Sequence, residues 1–243
     1  EAGTGSITMS TTSNTTSGNI TMDAASLFTT SGSAGDIRLK AGTGVVVGDI
    51  VNGSGDVSII AAAGSITDAD ALVGGSNDSD IDVTSSGLRL EAGNGVGVLG
   101  TGANPLETTV ATMSARGGSG GINILESNGV SVDNVSVTTN RVASDALTST
   151  TNSSDAAQSD LMTSSNGSIV LRTTSGDITL YDGTASTSGS GVTGQLLNGS
   201  GVAVSANGSG NVLLSAGGTG SITANALADV VSGSGHITVL AAK

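Results

Sequence analysis

The chain has 243 residues, a formal net charge of −13 and no cysteine. With seven Lys and Arg residues against 20 Asp and Glu residues, it has no basic patch for a phosphate backbone, which excludes nucleic acid as the main partner. The lack of cysteine excludes disulfides, thiolate catalysis and zinc–cysteine sites. No apolar run is long enough to span a bilayer, and no secretory leader opens the chain, so we expect any export signal to lie outside this segment.

The core has to be built almost without aromatic side chains, because Phe28 and Tyr181 are the only two in the chain. A globular enzyme core normally relies on aromatic residues for buried area, so small aliphatic residues must pack here in a regular lattice. The 39 glycines and the abundant Ser and Thr are also compatible with disorder. Ile, Val and Leu nevertheless alternate with polar residues in almost every segment, and this pattern favours a β-solenoid.

Short strands with two inward side chains each are predicted from the first residues onward, because side chains alternate along a strand with period two. After a looser stretch at 23–33, the unit 35–67 contains three such strands separated by glycine turns. Similar units recur to the end of the chain. The predicted inward pairs from residue 35 onward are Ile37/Leu39, Val45/Val47, Val57/Ile59, Leu88/Leu90, Ile122/Ile124, Ile169/Leu171, Ile178/Leu180, Val212/Leu214 and Ile237/Val239.

The same alternation predicts which side chains face water. Asp36, Arg38 and Lys40 alternate with the first inward pair, so their charges are expected on the solvated face. A charge placed at Ile59 should therefore cost several kcal/mol of stability, on the order of an unpaired buried charge, whereas a charge at Ser58 should be nearly neutral.

The repeat length favours one class of architecture. Equivalent turns recur at about twenty to twenty-five residues, which is compatible with one coil of a β-solenoid with two or three strands. Gly, Asn, Asp and Ser occupy the expected corners, where positive φ or side-chain bonding to the backbone is needed. A propeller or an immunoglobulin-like sandwich would carry aromatic signatures that this chain lacks.

Two segments interrupt the repeat, at 100–120, with the single proline Pro105, and at 138–167, rich in Ser, Thr, Asn and Asp. Solenoid insertions often form loops on one side and bind ligands, so both are predicted as larger loop insertions and as candidate binding surfaces. No domain boundary is evident, and residues 1–243 are predicted to form one solenoid segment of a longer chain.

The phrases GDIRLKAGTG, GDVSIIAAAGSIT, GLRLEAGNGVGV and GNVLLSAGGTGSIT resemble the repeat region of the filamentous haemagglutinin family. These are very large bacterial adhesins exported by two-partner secretion. The resemblance implies an all-β, right-handed parallel β-helix, an extracellular or cell-surface location and a role in adhesion. The secretion domain of that family is not recognisable in this chain.

The sequence predicts neither a catalytic site nor a metal site. Asp78, Asp80 and Asp82 alternate along one segment and could bind calcium on an outer strand face, but a solvated acidic face is the preferred interpretation. His236, the only histidine, stands at a turn-adjacent polar position without a second histidine, which favours a structural role over a general base. We accordingly expect no enzyme, no cofactor and no metal.

Asparagine sequons are frequent. Turn chemistry is the preferred explanation for those at Asn52, Asn166, Asn198 and Asn207, and glycosylation is the second interpretation. The sequon asparagines are Asn14, Asn19, Asn52, Asn77, Asn134, Asn152, Asn166, Asn198 and Asn207.

We therefore expect a rod-like segment of a bacterial surface protein that contacts a host cell, a glycan or the matrix. The alternative is a structural filament subunit, because both ends of the chain fall at nearly the same phase of the repeat and identical copies or adjacent repeats could stack end to end. A calcium-dependent polysaccharide-degrading β-helix enzyme is a more remote alternative.

Overall fold

The computed structural model of the chain describes residues 2, 5–11, 17–30, 35–70, 80–182 and 202–242, without the side chains of 148–152. The described residues contain no α-helix, and therefore none that could cross a membrane. Their strands are β1 (Ile7–Ser10), β2 (Ile20–Thr21), β3 (Leu27–Thr30), β4 (Ile37–Ala41), β5 (Val45–Val47), β6 (Asp49–Asn52), β7 (Asp56–Ala61), β8 (Ile66–Asp68), β9 (Val83–Ala92), β10 (Gly95–Val96), β11 (Leu106–Gly117), β12 (Gly121–Glu126), β13 (Val130–Val132), β14 (Val135–Val142), β15 (Thr148–Gln158), β16 (Leu161–Thr163), β17 (Ile169–Thr173), β18 (Ile178–Leu180), β19 (Val202–Ala206), β20 (Val212–Ser215), β21 (Ile222–Ala224), β22 (Asp229–Ser232) and β23 (Ile237–Leu240).

Twenty-one of these strands form one parallel sheet that winds as a β-solenoid. On the first face, β1 pairs with β4, β4 with β7, β7 with β9 and β9 with β11, and the series continues through β16, β19 and β22. On the second face the series is β2, β5, β8, β10, β12, β17, β20 and β23. The third face begins with β3 and β6, followed by the first residues of β9 and β11. The expected all-β parallel solenoid is confirmed.

The core is a stack of aligned aliphatic columns. Ile37 pairs with Val57, Val57 with Leu88 and Leu88 with Met113, and all four side chains are fully buried. Parallel pairing places each strand about 4.8 Å from its neighbour, so partners of this kind touch directly inside the solenoid. Eight of the nine predicted inward pairs are buried in this way.

The ninth pair is an exception, since Ile237 is 44 % exposed and Val239 is 50 % exposed. β23 pairs with β20 on one side, and no other described strand pairs with it. Both residues are in register with buried Val212 and Leu214, so they continue the inward columns, and no described strand covers them.

A two-stranded antiparallel hairpin, β14–β15, lies against the outer side of the first face. This hairpin buries side chains that the alternation assigned to solvent. Arg38 is 8 % exposed and Ser58 is fully buried, so the prediction that both face water is wrong. The physical reason is that a second polar layer replaces water on the outer side of β4 and β7.

Both predicted loop insertions are largely strand. In the 100–120 segment the loop ends at Pro105, and the long strand β11 follows. One inward position of β11 is the polar Thr108, so the sequence does not show the alternation of apolar and polar residues that predicts a strand. The insertion at 138–167 contains most of the β14–β15 hairpin and all of β16, a strand of the first face. Thr and Ser occur in strands and in loops, so the high content of these residues at 138–167 did not indicate a loop.

Two kinds of contact between coils explain why glycine, a polar residue and an aliphatic residue recur in this order at the corners. The polar residue before a strand accepts a backbone N–H from the next coil: Asp36 Oδ1 accepts Asp56 N–H at 3.0 Å, and Asn211 Oδ1 accepts His236 N–H at 2.7 Å. At one corner, glycines stack so closely that a Cβ on each would meet the carbonyl oxygen of the residue one coil earlier, which is Ala62 for Gly93 and the preceding glycine for the others. That column consists of Gly93, Gly118, Gly167, Gly210 and Gly235.

Candidate functional site

A lateral groove of about 750 Å³ runs along the outer side of the second face, across β17, β20 and β23. Its floor contains the half-buried outward side chains Val170 and Leu213, which alternate with the inward residues of the same strands. Thr238 continues the row on β23. The groove is thus the exposed side of three consecutive coils.

Corner asparagines form one rim of the groove and are held by hydrogen bonds between coils. Asn166 Oδ1 accepts Ser209 N–H at 3.1 Å, while Asn207 Oδ1 accepts Asn166 N–H at 3.2 Å. Asn211 N–H donates to Ser168 Oγ at 3.0 Å. These contacts fix the rim without using all of its amide and hydroxyl groups, since an amide has donor and acceptor sites to spare.

Another part of the groove lining comes from the loop that precedes β11. Val98 and Asn104 exchange backbone hydrogen bonds across this loop, which turns through the positive φ angles of Gly100 (+83°) and Gly102 (+74°). Asn123 Nδ2 donates to Val98 O at 2.7 Å and ties the loop to β12. The loop thereby places Leu99 and Gly100 at the groove. This part of the predicted 100–120 insertion does line a candidate binding surface.

The described lining of the groove combines apolar side chains with amides and hydroxyls and carries no fixed charge. No Asp, Glu, Lys or Arg is among the described residues that line it, and His236 is its one titratable side chain. The backbone N–H of His236 is held by Asn211, in agreement with the predicted turn-adjacent position. Without a carboxylate among the described lining residues, His236 has no acid–base partner in the groove.

Of the predicted calcium candidates, the two that the structure describes differ in burial. Asp78 lies outside the described residues. Asp80 is exposed and lies near Asp49, whose pKa is raised by burial and by the negative charge of Asp80. Asp82, in contrast, is buried. The alternation of these acids therefore does not give one solvated acidic face.

Asp82 instead meets two acids that the sequence analysis missed, Asp68 and Glu107, with one carboxylate oxygen of each within 4.8 Å of the others. Asp82 Oδ2 also accepts Glu107 N–H at 2.7 Å. Burial, reinforced by Asp68, raises the pKa of Asp82 well above its ordinary value. Three such oxygens could hold a hard cation or share protons.

The pairing register between adjacent coils would have identified Glu107 as a neighbour of Asp82. Val83 pairs with Thr108, and the residues before them, Asp82 and Glu107, are consequently neighbours on adjacent coils. No register of this kind identifies Asp68, because it is the last residue of β8, which belongs to the second face.

Several of the sequon asparagines form hydrogen bonds with backbone groups at the corners. Asn52 is fully buried, accepts Thr30 Oγ1–H at 2.8 Å and Gly55 N–H at 3.2 Å, and donates to Asp56 O at 3.1 Å, so it serves turn geometry as predicted. Asn166 and Asn207 also bond backbone groups at corners. Asn14, Asn77 and Asn198 lie outside the described residues, as does the side chain of Asn152.

Comparison with known proteins adds no relative: no protein-family model, curated protein or solved structure matches this chain. The candidate site is accordingly defined by geometry and chemistry alone.

Proposed function

We propose that this protein is a rigid rod segment of an extracellular bacterial surface protein and that its lateral groove contacts a ligand on a cell or in the matrix. The observation that carries the proposal is the groove over β17, β20 and β23, with an apolar floor and a rim of amides and hydroxyls. The resemblance of the repeats to filamentous haemagglutinins supports the location and the adhesive role. The protein acts by binding, without catalysis.

The ligand class follows from charge and hydrogen bonding. A chain of net charge −13 repels anions, and the described groove lining has no fixed cation to offset that repulsion. A neutral polymer with many hydroxyl groups can use the rim amides and the apolar floor together. A neutral glycan is therefore the ligand class that fits best.

The finer description of the fold belongs to the same proposal. We infer a right-handed solenoid, because connections between parallel strands of one sheet are right-handed in about 98 % of cases. For the coil length we propose about twenty to twenty-five residues at steps such as Ile37 to Val57 and Leu88 to Met113, and longer coils of about thirty residues at Ile7 to Ile37 and Val57 to Leu88.

Leu213 provides the test, because it lies on the groove floor and points away from the core. Leu213→Arg should weaken binding to immobilised neutral oligosaccharides, matrix proteins or cells about tenfold or more, with unchanged thermal melting. The matched control is Thr223→Arg, an exposed strand position on β21 that does not line the groove. Equal binding by both variants, or no binding by the wild type to any of these surfaces, would refute the lateral ligand site.

A second function, end-to-end stacking into a filament, is favoured by a separate observation. Ile237 and Val239 occupy inward positions yet remain exposed, and so does Met9 on β1, which pairs with buried Leu39. A further coil, from identical copies or from adjacent repeats, would cover such surfaces. Sedimentation over a wide concentration range tests this function, and a single monomeric species throughout would count against it.

A further inference from the structure

The β14–β15 hairpin extends past the first described coil. Its base lies against β9, where Arg89 Nε donates to Ala156 O at 3.1 Å. Further along, Asp155 reaches Arg38 on β4, and Thr139 contacts Thr8 on β1 at 2.6 Å. Asn140 N–H then donates to Ser6 Oγ at 3.2 Å, and β14 continues to Val142. We define the overhang as residues 140–148.

The overhang is long enough to cover more solenoid. A strand rises about 3.4 Å per residue, whereas coils are spaced by about 4.8 Å, so residues 140–142 alone reach about two coils beyond β1. Within the described part of the chain no strand lies beneath them. Val142 is 72 % exposed and Leu147 is 66 % exposed.

The side of the hairpin that faces the solenoid continues into the overhang. Val135, Val137 and Thr139 are buried against the first face, and strand alternation places Arg141 on the same side. The irregularity between Thr139 and Arg141 adds its extra residues to β15, so the alternation of β14 is preserved. Arg141 is exposed and forms no ion pair among the described residues.

The other end of the solenoid supplies a matching acid. In the register of the first face, the outer column that the hairpin covers consists of Thr8, Arg38, Ser58, Arg89 and Ser114. By the same register the column passes through Asp160, before β16, to Ala203 on β19, and Asp229 on β22 lies opposite the irregular step Val202–Val204 that contains Ala203. Asp229 is exposed and has no ion pair within the described ranges.

We propose that the overhang is a clasp for a second copy of this chain, stacked so that its β21–β23 coil covers β1 and its Asp229 pairs with Arg141. The inference rests on the stacking function proposed above and adds the residues that select the partner. Within one molecule the Arg38–Asp155 pair already joins this column to this hairpin, with the charges in the opposite places. The intermolecular contact extends that interface by one coil.

Charge exchange provides the test, with the association of the full 243-residue chain measured by sedimentation velocity. Arg141→Asp places two acids together and Asp229→Arg places two bases together, so each variant alone should associate about tenfold more weakly than the wild type. In a mixture of the two variants, the clasp of each variant meets the opposite charge on the end of the other. The mixture should therefore regain wild-type association. Unchanged circular dichroism and melting would show that both variants are folded.

A shortened hairpin checks the clasp independently of charge. Replacing residues 141–151 by Asn-Gly joins Asn140 to Asn152 through a two-residue turn, which keeps the docked base and removes the overhang. This variant should also associate about tenfold more weakly. Wild-type association that survives all three changes would overturn the clasp and leave end-to-end stacking intact, whereas a wild type that stays monomeric would overturn both.

Discussion

Arg38 on β4 and Asp155 on β15 lie 117 residues apart in the chain and form a two-pronged ion pair, with Nε and Nη2 each 2.8 Å from a carboxylate oxygen. Ser58 Oγ–H donates to the same carboxylate at 2.8 Å. Burial by itself would raise the pKa of Asp155, but the hydrogen bonds from Arg38 and Ser58 lower it below its ordinary value. This cluster fastens the hairpin to the solenoid.

Asp155→Ala should therefore destabilise the protein strongly. The substitution leaves the Arg38 guanidinium buried without its partner, and removing one member of a buried pair costs about 3 to 5 kcal/mol. Urea unfolding monitored by circular dichroism measures the change in the free energy of unfolding.

Asp145→Ala is the matched control, because it removes a carboxylate from the exposed turn of the same hairpin. It should cost less than about 1 kcal/mol. The double variant Arg38→Ala/Asp155→Ala should cost clearly less than the sum of its two single variants, since the pair acts as a unit. Strict additivity would show that the ion pair does not fasten the hairpin.

A second prediction contrasts the two sides of β7. Ile59→Lys should cost several kcal/mol, on the order of an unpaired buried charge. Ser58→Lys, which the alternation alone rated as neutral, should also be severely destabilising because Ser58 is fully buried beneath the hairpin. Thr223→Lys, at an exposed outward position, should change the melting temperature little. A tolerated lysine at Ser58 would mean that the hairpin does not cover β7 in solution.

The stacked corner glycines give a third prediction. Gly167→Ala should destabilise by about 1 to 3 kcal/mol, because the new Cβ would collide with the carbonyl oxygen of Gly118 and the close coil spacing would have to open. Gly53→Ala is the control, since a Cβ at Gly53 has nothing within 4 Å. Differential scanning calorimetry of both variants compares them, and similar melting temperatures would argue against tight stacking at this corner.

Glu126 gives a prediction about pH. Its side chain is fully buried and accepts Thr108 Oγ1–H at 2.7 Å and Asn128 N–H at 3.2 Å. Burial raises its pKa from 4.5 to about 7, although these hydrogen bonds oppose the shift. The folded state thus binds this proton more tightly than the unfolded chain does.

Protonation of Glu126 and folding are thermodynamically linked, so the raised pKa determines how the free energy of unfolding changes with pH. A raised pKa stabilises the fold fully below about pH 4.5, and this contribution is lost as the pH rises through about 7. Between these limits Glu126 should account for a fall of about 3 kcal/mol in the free energy of unfolding. Glu126→Gln cannot titrate, so its unfolding free energy should decline less over the same range. Parallel pH profiles for the two proteins would contradict a raised pKa at Glu126.

The amino-acid sequence by itself determined the inward side chains and the corners. Ile37, Val57 and Leu88 were predicted to face the core because strand alternation is local, and each coil supplies the same environment to the next. The turn role of Asn52 was likewise readable from its neighbours, since an Asn-Gly-Ser-Gly corner bonds its own backbone.

The tertiary structure alone decided what covers the outer faces. Arg38 and Ser58 look solvated in sequence, because a polar side chain is equally suited to water and to a polar partner that folds back over it. Which partner arrives depends on the path of a hairpin that follows much later in the chain, and no local pattern encodes that path. The meeting of Asp68 with Asp82 has the same origin, since it requires the relative position of two faces of the solenoid, which strand periodicity leaves open.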